Sequence, residues 1–244
     1  MNISAMKSLA IPEGSAVNIK VGNNTIWRKH FIGLGDLNYE LSEDGSHYTC
    51  VGIQDGVSVN SFTLADSVNG LPIGDVAADA FVGLTKPTVN INSEVNLDNA
   101  PWGANNIVLY IKGINYRQTT TTSRKPDYVC DSPNDDFKGG VVEILGRIGS
   151  IVVSELDSGT FKGYTSITEV IIPKEIRWIE AAMFQNCTNL KKATFKGTPD
   201  TVATSIFSGC TSLTEINVPW EEGAVSGAPW GATNATIHYN HTET

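Results

Sequence analysis

Three stretches, FKGYTSITEVIIP (161–173), FQNCTNLKKATFK (184–196) and FSGCTSLTEINVP (207–219), align without a gap at a spacing of 23 residues. Each reads Phe-x-x-Cys/Tyr-x-x-Leu/Ile-x-x-apolar-x-apolar, and each Phe follows another apolar residue by five positions: Leu156, Ile179 and Val202. A shortened form, Ile148-x-x-Ile151-x-Val153, precedes them, and Val76 stands five residues before Phe81 in VAADAFVGLTKPTVNI (76–91). Self-similarity at a fixed period marks a chain that stacks one small unit on the next, because a single unit cannot bury its apolar face alone.

Within each repeat the two-residue period of a strand turns the Leu/Ile and following apolar positions inward and the others outward. The outward columns are then Thr168, Lys191 and Thr214; Glu169, Lys192 and Glu215; and Ile171, Thr194 and Asn217. Strands in adjacent rungs stand ~4.8 Å apart, so Glu169, Lys192 and Glu215 alternate in sign across neighbours and help to set register. These nine residues form the candidate binding surface. The Phe residues form an inner stack in which each ring contributes roughly 2–3 kcal/mol by burial.

The spacing and the Leu-x-x-apolar-x-apolar strand resemble the BspA-type leucine-rich-repeat family, well over 148–219 and weakly over 76–92. The resemblance implies a β-rich leucine-rich-repeat solenoid of short, 23-residue repeats. Such solenoids present broad surfaces to other macromolecules.

A solenoid leaves its last rung open, so terminal repeats must be atypical. The string APWGA occurs at 100–104 and again at 228–232, each time leading into a short alternating run, NNIVLYIKG or TNATIHYN. Each reads as an end cap in which Pro101 or Pro229 breaks the rung, Trp102 or Trp230 covers the core, and the following strand closes the edge. Two caps predict two modules, a degenerate first one over 37–114 and a second over 141–244 with the C-terminal cap. Alternation around Asp44-Gly45 predicts a hairpin at the start of the first. The polar stretch 115–140, punctuated by Pro and Gly, reads as an excursion from the solenoid. In residues 1–36, VNIKVGNNTIWR (17–28) predicts a small β-hairpin outside the repeats. That segment is expected to dock onto a larger assembly, with Ile26 and Trp27 as the candidate anchor.

Composition narrows the function. A net charge of −9 leaves no basic face to follow a phosphate backbone, so no nucleic-acid partner is expected. The opening MNISAMKSLAIPEGS has neither a basic segment followed by an apolar run nor a membrane-spanning stretch, which predicts neither secretion by the usual route nor membrane insertion. No P-loop, nucleophile elbow, dinucleotide-binding glycine set or His-Glu-x-x-His motif occurs, which argues against an enzyme and against a cofactor. His238-x-x-His241 has no Cys or acidic partner nearby to complete a zinc site, and DSPNDD (131–136) lacks the glycine and distal Glu of a calcium loop. Cys187 and Cys210 share one repeat position and are expected as buried thiols; neither they nor Cys50 and Cys130 have metal-ligand spacing.

The whole layout is also similar to small leucine-rich-repeat virion structural proteins of tailed bacteriophages and prophages. It shares a short N-terminal segment ending in apolar-Trp, then Leu-x-Tyr-x-Leu-Ser-x-Asp-Gly-x-x-Tyr-x-Cys-x-Gly, then repeats, then APWGA-x-Asn-Ala-Thr-Ile-x-Tyr. That resemblance implies a non-enzymatic tail, baseplate, fibre or capsid-decoration protein that is assembled into the virion in the host cytoplasm. Its N-terminal segment would contact other virion proteins, its solenoid a host surface protein or glycan, and a homo-oligomer is compatible with it. A bacterial cell-surface adhesin or a protein-interaction scaffold is the alternative that the same repeats support.

Overall fold

The computed structural model describes residues 31–119 and 127–242, together with the backbone of two strands nearer the N-terminus. Those strands, β1 (Asn18–Val21) and β2 (Asn24–Trp27), pair antiparallel with Ile19 opposite Ile26, which is the hairpin expected there. Ile26 and Trp27 therefore lie on β2; their side chains fall outside the described residues.

The solenoid begins at β3 (Ile32–Leu34), which turns through Gly35 and Asp36 into β4 (Leu37–Leu41) and then into β5 (Tyr48–Ile53), all antiparallel. The β4–β5 turn is held by the Asp44 carboxylate, which accepts hydrogen bonds from the Ser42 hydroxyl (2.7 Å) and the Ser46 backbone N–H (3.0 Å). Next come β6 (Ser61–Thr63), the short hairpin of β7 (Ser67–Val68) and β8 (Leu71–Val76), then β9 (Thr88–Ile91) and β10 (Val108–Ile111). β6, β9 and β10 stack in parallel, with Phe62, Val89 and Leu109 in one inward row.

The chain then writes the same cassette again. β10 turns through Lys112 and Gly113 into β11 (Ile114–Thr119), followed by β12 (Asp127–Asp131), β13 (Gly140–Glu143) and the hairpin of β14 (Arg147–Ile148) and β15 (Ile151–Leu156). Corresponding strands share registers. Tyr39 faces Cys50 as Tyr116 faces Cys130, and the β5–β8 and β12–β15 pairs both carry an irregularity after their first residue, Tyr48 or Tyr128. Even the polar tie is repeated. The buried Tyr39 hydroxyl accepts the Ala65 N–H at 2.9 Å, and the buried Tyr116 hydroxyl accepts the Leu145 N–H at 3.1 Å. Burial pushes the Tyr39 hydroxyl up to about 12 and the Tyr116 hydroxyl well above its ordinary value, so both remain neutral acceptors.

The regular repeats follow as β16 (Ile167–Ile172), β17 (Trp178–Ile179), β18 (Lys192–Phe195), β19 (Thr201–Val202), β20 (Glu215–Asn217) and β21 (Thr236–His238). Two ladders result. β13, β16, β18, β20 and β21 form one five-stranded sheet, while β19, β17, β15, β12, β11, β10, β9 and β6 run in that order through a nine-stranded sheet that also takes in β14. Between the ladders lies the stack of rings. Phe161, Phe184 and Phe207 are fully buried, with successive centroids 5.4 and 5.7 Å apart and planes within 18° of parallel. The Phe161, Phe184 and Phe207 N–H groups donate to the carbonyls of Met183, Ile206 and Trp230 in the next rung. Stacking and main-chain bonding therefore enforce the same spacing.

Three expectations are corrected. The described residues of 115–140 form no excursion: β11 and β12 sit in the middle of the nine-stranded sheet, and one hydrophobic core runs through both halves. A strand with one face on the core needs apolar residues only at alternate positions, and Ile114, Tyr116, Tyr128 and Cys130 supply that pattern, with Val129 buried as well. The two APWGA strings share their backbone, with cis Ala100–Pro101 and Ala228–Pro229 bonds and Trp102 and Trp230 at φ 51° and 50°. Each Trp accepts the N–H of the preceding Phe, Phe81 or Phe207, and is fully buried. The second string stands at an end of its ladder, since β21 is an outer strand among the described residues; the first does not, because β10 is bonded by β9 on one side and β11 on the other. Finally, residues 32–34 of the expected N-terminal segment are β3, a strand of the solenoid itself.

Phe184→Ala removes a ring held between two others that cannot collapse into the gap, so chemical denaturation is expected to show a loss of ~3–5 kcal/mol. A loss below about 1 kcal/mol would contradict the stack. Tyr116→Phe strands the Leu145 N–H and is expected to cost about 1–3 kcal/mol by the same measurement.

Candidate interaction surface

The five-stranded sheet presents its outer face in two rows fixed by strand register. Val141, Glu169, Lys192, Glu215 and Thr236 form one row, and Glu143, Ile171, Thr194, Asn217 and His238 the other. Lys192 Nζ lies 3.8 Å from the Glu169 carboxylate and 3.7 Å from that of Glu215, so the alternating ladder expected from the repeat spacing is present. The Asn217 amide donates to Glu215 at 2.7 Å, and this bond, with the attraction of Lys192 beside it, holds the Glu215 carboxyl below its ordinary value. Thr168, Lys191 and Thr214 stand exposed at the edge of the same face, their strands joined by Lys191 N–H to Thr168 O (2.9 Å) and Thr214 N–H to Lys191 O (3.1 Å).

The third expected column differs. Ile171 is half-buried, while Thr194 and Asn217 are only 3% and 1% exposed. Thr194 lies between Ile171 and Asn217 in its row, and Asn217 between Thr194 and His238, and rungs ~4.8 Å apart leave water no access to either. Thr194 and Asn217 therefore build the face without being available to a partner. The residues missed from the sequence are Val141, 61% exposed, and Glu143 on β13, and Thr236 and His238 on β21, which extend the rows by one strand at each end. The signal for β13 was the match of Gly140-Val141-Val142-Glu143-Ile144 to Asn60-Ser61-Phe62-Thr63-Leu64, which the unequal loops before them obscure.

Beside β13 the face ends in a cleft of about 630 Å³ lined by Asn92, Lys112, Ile114, Phe137, Val141 and Glu143 among others. It lies where the β10–β11 turn of the first half meets the first strand of the second half's sheet. Gly113 in that turn, at φ 79°, approaches so closely that a Cβ would lie 2.4 Å from the Phe137 nitrogen, so only glycine fits both conformation and space. Lys112 pairs with Glu94, and Lys196 reaches Glu143 at 3.4 Å, so the rim is charged but balanced. Among the described residues no group of three His, Cys, Asp or Glu side chains is placed to hold a metal ion.

The cysteines are part of the repeat's interior. The buried Cys187 thiol donates to the Phe161 carbonyl (3.0 Å) and the buried Cys210 thiol to the Phe184 carbonyl (2.9 Å), each tying one rung to the preceding one. Burial pushes Cys187 up to about 12 and Cys210 to about 11, and Cys50 likewise to about 11.

Stacked parallel strands, a ring column and an exposed, register-locked face define a leucine-rich-repeat solenoid. Residues 150–224 match the model of the BspA type leucine rich repeat region in six copies. No curated protein matches the chain. Three solved structures are similar to it. A leucine rich cell surface protein from Faecalibacterium prausnitzii is 12% identical, covering 87% of this chain and 95% of that one, with a TM-score of 0.35. A leucine-rich repeat protein of T. pallidum is 16% identical over 84% of this chain and 80% of its own, with a TM-score of 0.27. One from Eubacterium ventriosum is 14% identical over 76% and 77%, with a TM-score of 0.30. The comparisons indicate no catalytic family.

Thiolate is the reactive form of cysteine, so raised values make these groups inert. In the native protein at pH 8 none of the four cysteines is expected to react with a thiol reagent, whereas all four should react after denaturation. Because the folded state favours the protonated thiol, the stability it contributes is complete below about pH 9 and declines as pH rises through about 11 and 12. Fast labelling of native protein would contradict the buried thiol column.

Proposed function

We propose that this protein is a non-enzymatic attachment protein that binds a macromolecular surface through the outer face of its five-stranded sheet. The observation that carries the reading is the row of Glu169, Lys192 and Glu215. A charged pattern is held in register by the backbone ladder, and the rings that fix that ladder lie on the opposite side of it. Exposed ion pairs of this kind add little stability, typically ~0–1 kcal/mol, so substituting them changes recognition far more than folding. Lys191 and Lys192, the cations of the face, are the residues assigned the largest share of specificity.

The setting proposed for this attachment is a tailed-bacteriophage particle, with the solenoid directed at a host surface protein or glycan. The N-terminal segment, with Ile26 and Trp27 on β2, would serve as the anchor to neighbouring virion proteins. Its support is the likeness of the layout, from the N-terminal segment to the second APWGA string. A bacterial cell-surface adhesin is the second reading, supported by the BspA-type repeats.

The double variant Lys191→Glu, Lys192→Glu is expected to melt within a few degrees of the parent and to lose at least ~10-fold in binding to the target cell, about 1.4 kcal/mol. Unchanged cell binding would overturn the assignment of this face. Immunogold labelling then separates the settings: label on purified particles supports the virion reading, and label on the bacterial envelope supports the adhesin.

A further inference from the structure

The duplication inside the chain supplies a template for its own end. β3 and β10 are equivalent strands: Ile32 faces Tyr39 as Leu109 faces Tyr116, and Leu34 faces Leu37 as Ile111 faces Ile114. Their other edges differ. β10 is bonded in parallel to β9, with Val89 opposite Leu109, whereas among the described residues β3 pairs with β4 alone. The side chains follow suit. Leu109 and Ile111 are 0% and 9% exposed, while at the N-terminal end Leu34 is 46% exposed and the neighbouring Phe31 52%.

In that template the neighbour runs parallel, as β9 does to β10. The preceding strand β2 ends at Trp27, only a few residues before β3 begins at Ile32, and a parallel connection needs a crossover of about a dozen residues or more. At the other end of the solenoid, β21 offers what is required. It is the outer strand of its sheet, runs parallel to β20, and carries Ile237 in the inward row with Ile216.

We infer that copies of this chain stack head to tail, the free edge of β21 in one copy pairing in parallel with the free edge of β3 in the next. The register repeats that of β9 on β10: Ile237 opposite the next copy's Ile32, His238 opposite Gly33, and Tyr239 opposite Leu34. The inward row then continues without a break from Ile216 and Ile237 to Ile32, Tyr39 and Cys50, as it does inside the chain from Val89 through Leu109 and Tyr116 to Cys130. With β21 and β3 both present, the two copies stand one rung further apart than the two cassettes do. Because the two surfaces differ, the contact is heterologous and generates a ring or an open filament, not a closed dimer.

The test is disulfide trapping in the full-length chain under oxidising conditions, using Gly33→Cys and His238→Cys. A Cβ at Gly33 meets first the end of the flexible Gln54 side chain, and His238 is exposed. The chain carrying both substitutions is expected to form a ladder of covalent oligomers. An equimolar mixture of the two single variants is expected to stop at dimers, since each has one reactive end. Leu34→Lys, placed in the double-cysteine background, is expected to abolish the ladder while leaving the melting temperature within a few degrees. Failure of the properly melting double variant to cross-link at any concentration up to millimolar would overturn the inference. So would cross-linking of the Gly33→Cys single variant to itself as efficiently as to His238→Cys, because that result means a symmetric β3–β3 pair.

Discussion

The spacing between stacked rings is the constraint on which the structure depends. Phe161, Phe184 and Phe207 stack at 5.4 and 5.7 Å, slightly more than the separation of two hydrogen-bonded strands. Main-chain bonds from each Phe N–H to the next rung, and thiol bonds from Cys187 and Cys210 to the rung before, hold that spacing from both directions. Everything outside the core inherits it: the parallel ladder of β16, β18 and β20, the alternation of Glu169, Lys192 and Glu215, and the burial of Thr194 and Asn217 between their row neighbours.

The same stacking ends in a consistent way. Trp102 and Trp230 take the carbonyl position that Met183 and Ile206 hold in ordinary rungs, and each fills the core with one larger ring system. Their surroundings differ in polarity. The Trp230 indole N–H donates to the Ser226 carbonyl at 2.9 Å, whereas the Trp102 indole N–H is buried with no acceptor among the described residues. At Trp230 the turn before the string supplies that acceptor. In the interior, the space is shared with the second cassette, whose Gly149 turn lies against Ala100.

The repeats over 156–218 were readable because nothing interrupts them: five apolar columns recur at one interval, and all five are buried. The hairpin of β4 and β5 was readable from Asp44-Gly45 and the alternation around it. Its second copy was not. Tyr39 and Cys50 are separated by eleven positions and their counterparts Tyr116 and Cys130 by fourteen, so a gapless comparison passes over the match, and polar residues dominate the stretch between. Strand alternation survives there in Ile114, Tyr116, Tyr128 and Cys130, but too sparsely to outweigh the Thr, Ser, Lys and Pro around it. On the candidate face, the outward direction of a residue was legible and its accessibility was not: Thr194 and Asn217 point outward, yet their exposure is set by neighbours 23 residues away. β13 was missed for the reason that β12 was, since both follow the longer loop.

A solenoid built this way has one cooperative core instead of two modules, with β11 and β12 as its continuous middle. Native-state hydrogen exchange under increasing denaturant tests that claim most directly, by following the rung-to-rung amides of Phe81 in the first half and Phe161, Phe184 and Phe207 in the second. The continuous core predicts that all four converge on one opening free energy equal to that of global unfolding. Exchange of Phe81 through a separate, lower-energy opening while Phe161, Phe184 and Phe207 stay protected would contradict it.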